Sequence, residues 1–281
     1  MLVRMSGALM RGLLVALLIA TPAILLPEVT SDQSQLVVLA ALLAAFLTFA
    51  EYNSPSPSIV EFRDAAPFNR LRFVTVFLTV FLLTAIARGG SDLNSMSQGI
   101  AAIGTIVGNA IDFPFSPVRL IVLMLPHDAS AEMIDEVRSA AGISYLISLI
   151  AMVAFGALVR LWNWPVRNGA FNVWVNLPLF DPTTGGDVLY RLQRDARFNI
   201  ALGFLLPFVI PAVVKAASDL IDPVSLENPQ TLIWTITAWA FLPASMIMRG
   251  IAMSRIAGMI EEKRRRAHQT AAKDAEYQAA W

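Results

Sequence analysis

The chain has 281 residues, of which 56% are apolar and 15% charged, and its mean hydropathy is +0.61. A soluble domain of this size would carry about 25% charged and about 45–50% apolar residues, so most of this chain is built to be solvated by lipid. The 21 Lys and Arg balance the 21 Asp and Glu, and the absence of cysteine excludes disulfides, thiolate catalysis, Cys-ligated zinc and iron–sulfur clusters.

Arg4 and Arg11 precede GLLVALLIATPAILLP, an apolar run that ends near Pro27. It outlasts the roughly 7–15 apolar residues of a cleavable signal, and a second run follows closely. The first run is therefore read as an uncleaved anchor, spanning 8–27. Pro22 in its outer half is expected to bend it, with Thr21 helping to satisfy the freed carbonyl. The second span, 35–50, carries Ala40, Ala41, Ala44 and Ala45 at helical spacing, a surface that another helix can approach closely. The stretch EYNSPSPSIVEFRDAAPFNRLRF that follows is too charged and proline-rich for hydrocarbon. It leads to a third span, 71–88, in which Thr75 and Thr79 stack one turn apart.

Residues 95–140 read as an external amphipathic segment. Met96, Ile100, Ile103, Val107 and Ile111 share one helical stripe, and Ser97, Gln98, Thr105, Asn109 and Asp112 lie mostly away from it. Gly104 and Gly108 form a GxxxG packing hint. Pro114 and Pro117 prevent one continuous helix, and neither piece reaches the about 20 residues that a span needs. We expect the 99–126 stretch to lie flat, with Ile103 and Val107 down and Asp112 wet. A re-entrant path would instead turn Asn109, Asp112 and Ser116 toward the bundle. Asp128 is the expected N-cap of an acidic helix leading to the fourth span.

The fourth span, 142–161, again carries small residues: Ser144, Ser148, Ala151, Ala154, Gly156 and Ala157. Trp162, Trp164, Phe171, Trp174 and Phe180 in the loop after it suit the headgroup zone, where amphipathic rings settle. DPTTGGD, from Asp181 to Asp187, is a polar turn, since it lacks the strand and the lysine of a phosphate loop. The fifth span, 198–216, contains Pro207 and Pro211, and the sixth, 231–249, contains Pro243. A basic helical tail, 249–281, closes the chain.

One signature occurs twice. RDAAPFN at 63–69 precedes a span and then RGGSDL; RDARFN at 194–199 precedes another span and then KAASDL. The shared order predicts an internal duplication in which spans two–three and four–five form a parallel two-helix repeat. The fold expected is thus an all-α polytopic membrane bundle of six spans. With both termini inside, the inner connections hold 17 of the Lys and Arg, and the outer ones only Arg88, Arg119, Arg138 and Lys215. That asymmetry places both termini in the cytoplasm of a bacterial inner membrane.

The candidate residues follow from the duplication. Arg63, Asp64, Phe68 and Asn69, with Arg194, Asp195, Phe198 and Asn199, read as helix-entry caps and interfacial anchors, or as a partner-docking surface. Arg88 with Asp92, and Lys215 with Asp219, read as external polar pairs one helical turn apart. The two histidines, His127 and His268, fall on opposite sides and cannot share a metal, so no metal site, cofactor or catalytic constellation is expected. The span cores lack the embedded acids and histidines that proton coupling uses. The expectation is a non-enzymatic scaffold, assembly or accessory protein that meets the bilayer and another membrane protein or complex, with no nucleic acid. The alternative is a channel or facilitator for a small solute or ion.

Overall fold

The computed structural model describes residues 2–27, 30–56, 58–89, 95–126, 128–162, 164–165, 176–180, 186–217 and 226–279. Among them there is no strand, and the helices are α1 (Leu2–Leu25), α2 (Ser31–Asn53), α3 (Phe68–Gly89), α4 (Ser95–Ile111), α5 (Pro117–Met124), α6 (Ala131–Leu161), α7 (Val188–Ala217) and α8 (Pro229–Ala279). Six of these, α1, α2, α3, α6, α7 and α8, are long and apolar enough to cross a membrane.

Local chemistry explains where they begin. Thr30 closes a capping box with Gln33 at the start of α2. Ser116 caps α5, with Pro117 in the first turn, where a missing N–H costs nothing. At α6 the cap is Ser130 rather than Asp128, its hydroxyl accepting the Met133 N–H. Three helices overrun the hydropathy boundaries. The acidic stretch is continuous with the fourth span from Ala131, α7 begins at Val188, and α8 carries the sixth span and the tail in one helix. In each case the polar stretch continues the apolar helix because no proline intervenes to stop it.

Small residues set the close crossings. A Cβ on Gly142 of α6 would lie 2.6 Å from the Gly108 Cα of α4, so these two backbones touch. On Gly203 of α7 it would lie 2.6 Å from the Pro243 carbonyl of α8. Pro211 has no N–H to give to the carbonyl four residues back, and that carbonyl, on Pro207, accepts the Trp239 indole N–H at 3.1 Å instead. The alanine surface of α2 meets α1: Ala41 is buried, and Gly12 sits against the Ala45 carbonyl. Otherwise α2 stands apart, packing on α1 alone among the helices.

The interior has two apolar clusters at opposite ends of the bundle. One joins Val80, Leu83, Val118, Ile121, Val137, Ala140, Ile233 and Ile236. The other joins Phe62, Phe68, Phe155, Trp164, Leu177, Leu192, Met248 and Ile256. The second therefore gathers the loop before α3, the loop after α6, the start of α7 and the later turns of α8. Helices α3 and α7 both leave from this end and run the same way. Neither α2 with α3 nor α6 with α7 packs directly.

Within 99–126 the expectation that Asp112 stays wet is corrected. Helix α4 packs on α3 and α6, and α5 packs on α6 and α7. The Asp112 carboxylate is 6% exposed and pairs with Arg119 and Arg138, both at 2.9 Å. Ser116 is fully buried, whereas Asn109 stays exposed. The pairing explains the departure, because two guanidiniums let Asp112 leave water at the turn between α4 and α5. Gly104 and Gly108 turn toward Ile86 and Ser139, while Met96 and Ile103 of the expected apolar stripe face outward.

Candidate functional site

At the second cluster's end, the chain leaving α2 is folded back and locked. The Glu51 carboxylate, in the last turn of α2, accepts the backbone N–H groups of Ser58 (2.7 Å), Ile59 (2.9 Å) and Val60 (3.0 Å) and the Ser58 hydroxyl (2.8 Å). Arg63 closes the same loop from the other side, donating to the carbonyls of Glu51 (2.9 Å), Ser54 (3.0 Å) and Pro55 (3.3 Å). Carbonyl and amide groups that helix geometry cannot satisfy are thus satisfied by two ionised side chains.

This loop lays Glu61 and Phe62 against the bundle. Glu61 grips Arg249 of α8 through two hydrogen bonds, to Nε at 2.5 Å and Nη2 at 2.8 Å. Its backbone carbonyl accepts the Asn69 amide at 2.8 Å. Phe62 is fully buried at φ +53°, a conformation that a bulky side chain adopts only under constraint. Ring packing supplies the constraint: Phe62 lies 4.6 Å from Phe68 and 5.6 Å from Trp164, and Phe155 lies 5.3 Å from both Phe68 and Trp164. Trp164 is pinned in turn, its indole N–H donating to the Ala65 carbonyl at 3.2 Å and its own carbonyl accepting Arg255 Nε at 3.1 Å. Trp164 and Phe180, expected at the headgroup zone, are buried core residues.

Between this loop and helices α1, α3 and α8 lies a cavity of about 1190 Å³. Arg11, Arg63, Arg70, Arg72 and Arg249 line it, with Glu61 and Asp64 as its carboxylates. Arg11 sits over the Tyr52 ring at 4.6 Å, and Arg72 over Phe68 at 5.3 Å and Phe241 at 5.9 Å. Among the described residues no group of His, Asp and Glu side chains converges as a metal site would require.

The two signature copies occupy different settings. In the first, Arg63 is 7% exposed, Phe68 is 1% exposed and Asn69 is half-buried, so these side chains build the loop rather than present it. Asp64 remains open and lies 3.4 Å from Arg63 Nε. The second copy is part of continuous α7: Asn199 donates to the Asp195 carbonyl one turn back at 2.7 Å, and Arg194 and Phe198 are exposed. Arg194 and Asp195 repeat the neighbour pairing, again at 3.4 Å. Asp92 and Asp219 lie outside the described residues. Of their expected partners, Lys215 donates to the Leu125 carbonyl at 3.3 Å, tying α7 to α5, and Arg88 belongs to the last turn of α3.

Glu51, Glu61, Arg72 and Arg249, the charged residues at the heart of this end, carry no sequence signal as a group. Glu61 and Arg249 are 188 positions apart. Compared with known protein families, with characterised proteins and with solved structures, the chain matches none.

Proposed function

We propose that the chain is a non-enzymatic multi-pass scaffold, assembly or accessory protein of a bacterial inner membrane, with both termini in the cytoplasm. The observation that carries this reading is α8. It runs unbroken for 51 residues, about 76 Å at 1.5 Å per residue, against a hydrocarbon core of about 30 Å. Its described side chains from 261 onward are exposed, a solvated arm projecting from the bundle. Helix α7, which packs on α8, exposes Arg194 and Phe198 of the second signature copy. Arg264 of the arm reaches back to Asp187 at 3.0 Å, so the arm and the start of α7 form one surface.

The orientation rests on the 17-to-4 division of Lys and Arg, which the clustering of the first and third long connections at one end supports. The parallel repeat belongs to the same proposal. It is supported by the duplicated signature, by the shared direction of α3 and α7, and by the repeated Arg–Asp neighbour pair. A scaffold is favoured over a pore because the far end is filled by packed apolar side chains and α4 and α5 add to that packing.

One fusion tests both parts. A fluorescent protein that matures only in the cytoplasm, fused after Trp281, should fluoresce in whole cells. The same handle should recover a stoichiometric partner in mild detergent, lost when the chain is cut after Ile260. A dark fusion overturns the orientation. A chain that purifies alone, yet conducts a small solute in liposomes, overturns the scaffold in favour of the channel.

A further inference from the structure

The arginine-lined cavity has a polarity on which three helices agree. In α1, Arg11 is followed by Leu14, Val15 and Leu18; in α3, Arg72 is followed by Phe73, Val74 and Val76. Helix α8 runs the opposite way, so its wall reads Phe241, then Ser245, then Arg249. Each of these three walls is therefore cationic at the loop end and apolar toward the middle of the bundle. Met10, Leu14 and Val74, all exposed, flank the opening, so the cavity gives sideways onto the surface that lipid would cover.

The charges do not balance. Five arginines line the space against two carboxylates, an excess of three positive charges. Glu61 is committed to Arg249 through both oxygens, and Asp64 lies beside Arg63. Arg72 is left without an ion pair: its Nε is buried with no hydrogen-bond partner, and its Nη1 makes only a long 3.4 Å bond to Asn69. Arg11 donates to the Gly7 carbonyl within its own helix and forms no ion pair. Arg11 is exposed, whereas Arg72 is half-buried against the Phe68 and Phe241 rings with its Nε unpartnered, so an anion seated between the two would supply the hydrogen-bond acceptor that Arg72 lacks. The volume exceeds the roughly 300–1,000 Å³ of pockets for drug-sized ligands.

We infer that this cavity binds one anionic phospholipid, its phosphate on Arg72 and Arg11 and its acyl chains along Leu14, Leu18, Val76 and Phe241. A guanidinium offers planar paired donors that match phosphate oxygens, and the net positive lining favours a headgroup that is itself negative. The apolar walls continue directly from the headgroup end, so one molecule satisfies both halves. Assignment to the cytoplasmic leaflet rests on the orientation proposed above; the binding does not.

The test is native mass spectrometry of the full chain in detergent, titrated with dioleoyl phosphatidylglycerol or dioleoyl phosphatidylcholine. The wild type should retain one phosphatidylglycerol, about tenfold more tightly than phosphatidylcholine, the scale of one charge-assisted contact. Arg72→Gln should remove that preference, and Arg72→Lys should restore part of it. Val76→Trp, which fills the apolar end and leaves every arginine in place, should weaken both lipids. Each variant is read only after its helix content by circular dichroism matches the wild type, so that Val76→Trp decides the matter if Arg72→Gln does not fold. Equal retention of the two lipids, or undiminished phosphatidylglycerol binding by Arg72→Gln or Val76→Trp, overturns the proposal. Displacement of the lipid by inorganic phosphate at comparable concentration also overturns it, since the site would then read the free ion. None of these readings depends on which way the protein is inserted.

Discussion

The segments 63–69 and 194–199 share Arg-Asp-Ala and Phe-Asn, yet the first is an irregular loop and the second is two turns of helix. Pro67 separates them. It cannot donate an N–H and disfavours helical backbone at Ala66, so the first copy stays open until Phe68 starts α3. Arg197 stands where the second copy would otherwise break, and the helix runs through. Once the backbones diverge, so do the partners. Asn69 reaches across to the Glu61 carbonyl, whereas Asn199 bonds one turn back along its own helix. Arg63 is consumed by three carbonyls, while Arg194 keeps only its neighbour Asp195. The pair teaches that the same short run of residues can serve packing in one place and surface in the other.

The sharpest contrast is between the phenylalanines. Phe68 is 1% exposed and touches Phe62, Phe155 and Trp164, whereas Phe198 is 64% exposed. Phe68→Ala should cost about 3–5 kcal/mol, the usual range for emptying an aromatic site in a packed core. Phe198→Ala should fall within about 0.5 kcal/mol of the wild type, as exposed substitutions do. Thermal unfolding of the two variants in the same detergent checks this, and similar losses from both would erase the distinction between the copies.

How much of this was legible in the sequence divides along the same line. The six long apolar helices, the packing glycines Gly104 and Gly108, and the alanines of α2 are visible because each acts through local pattern. The burial of Phe68, Trp164 and Phe180 is not, since an aromatic residue beside a span has the same composition whether it meets lipid headgroups or a folded loop. Asp112 is misread for a related reason: its partner Arg138 lies 26 residues on, and no local spacing announces the pair. The cavity is the extreme case. Arg11, Glu61, Arg72 and Arg249 come from three helices and a loop, and each alone reads as an ordinary charge at the end of a span.

The arginines give a second, smaller contrast. Arg63→Ala withdraws donors from the Glu51, Ser54 and Pro55 carbonyls and should cost about 1–3 kcal/mol, the range for leaving such groups unsatisfied. Arg194→Ala removes a guanidinium that is 63% exposed and should cost at most about 1 kcal/mol. Limited proteolysis separates them further. Cleavage between 54 and 62 should accelerate in Arg63→Ala and stay at the wild-type rate in Arg194→Ala. A loop that resists protease without Arg63 would mean that Glu51 alone holds it.

The smallest effect concerns what positions the second copy, which has no loop to hold it. Asp187 immediately precedes α7, its carboxylate accepting the Leu189 N–H at 3.1 Å and the Arg264 guanidinium at 3.0 Å. These two donors, Arg264 first, hold the Asp187 carboxyl below its ordinary range. The folded-state value thus lies under the unfolded one. The pairing is therefore complete above the usual carboxylate range, about pH 4, and fades as pH falls through the lowered value. Both side chains are about half exposed, so water and salt screen the pair and its loss should leave the unfolding temperature unchanged. The informative reading is the carboxyl itself. In the full chain labelled at aspartate carboxyl carbon, Arg264→Ala should raise the Asp187 titration midpoint toward the ordinary range, without restoring it fully, because the Leu189 N–H remains. An unchanged midpoint would show that the helix cap acts alone. The arm of α8 would then be untied from the second copy, and the single surface drawn between them would come apart.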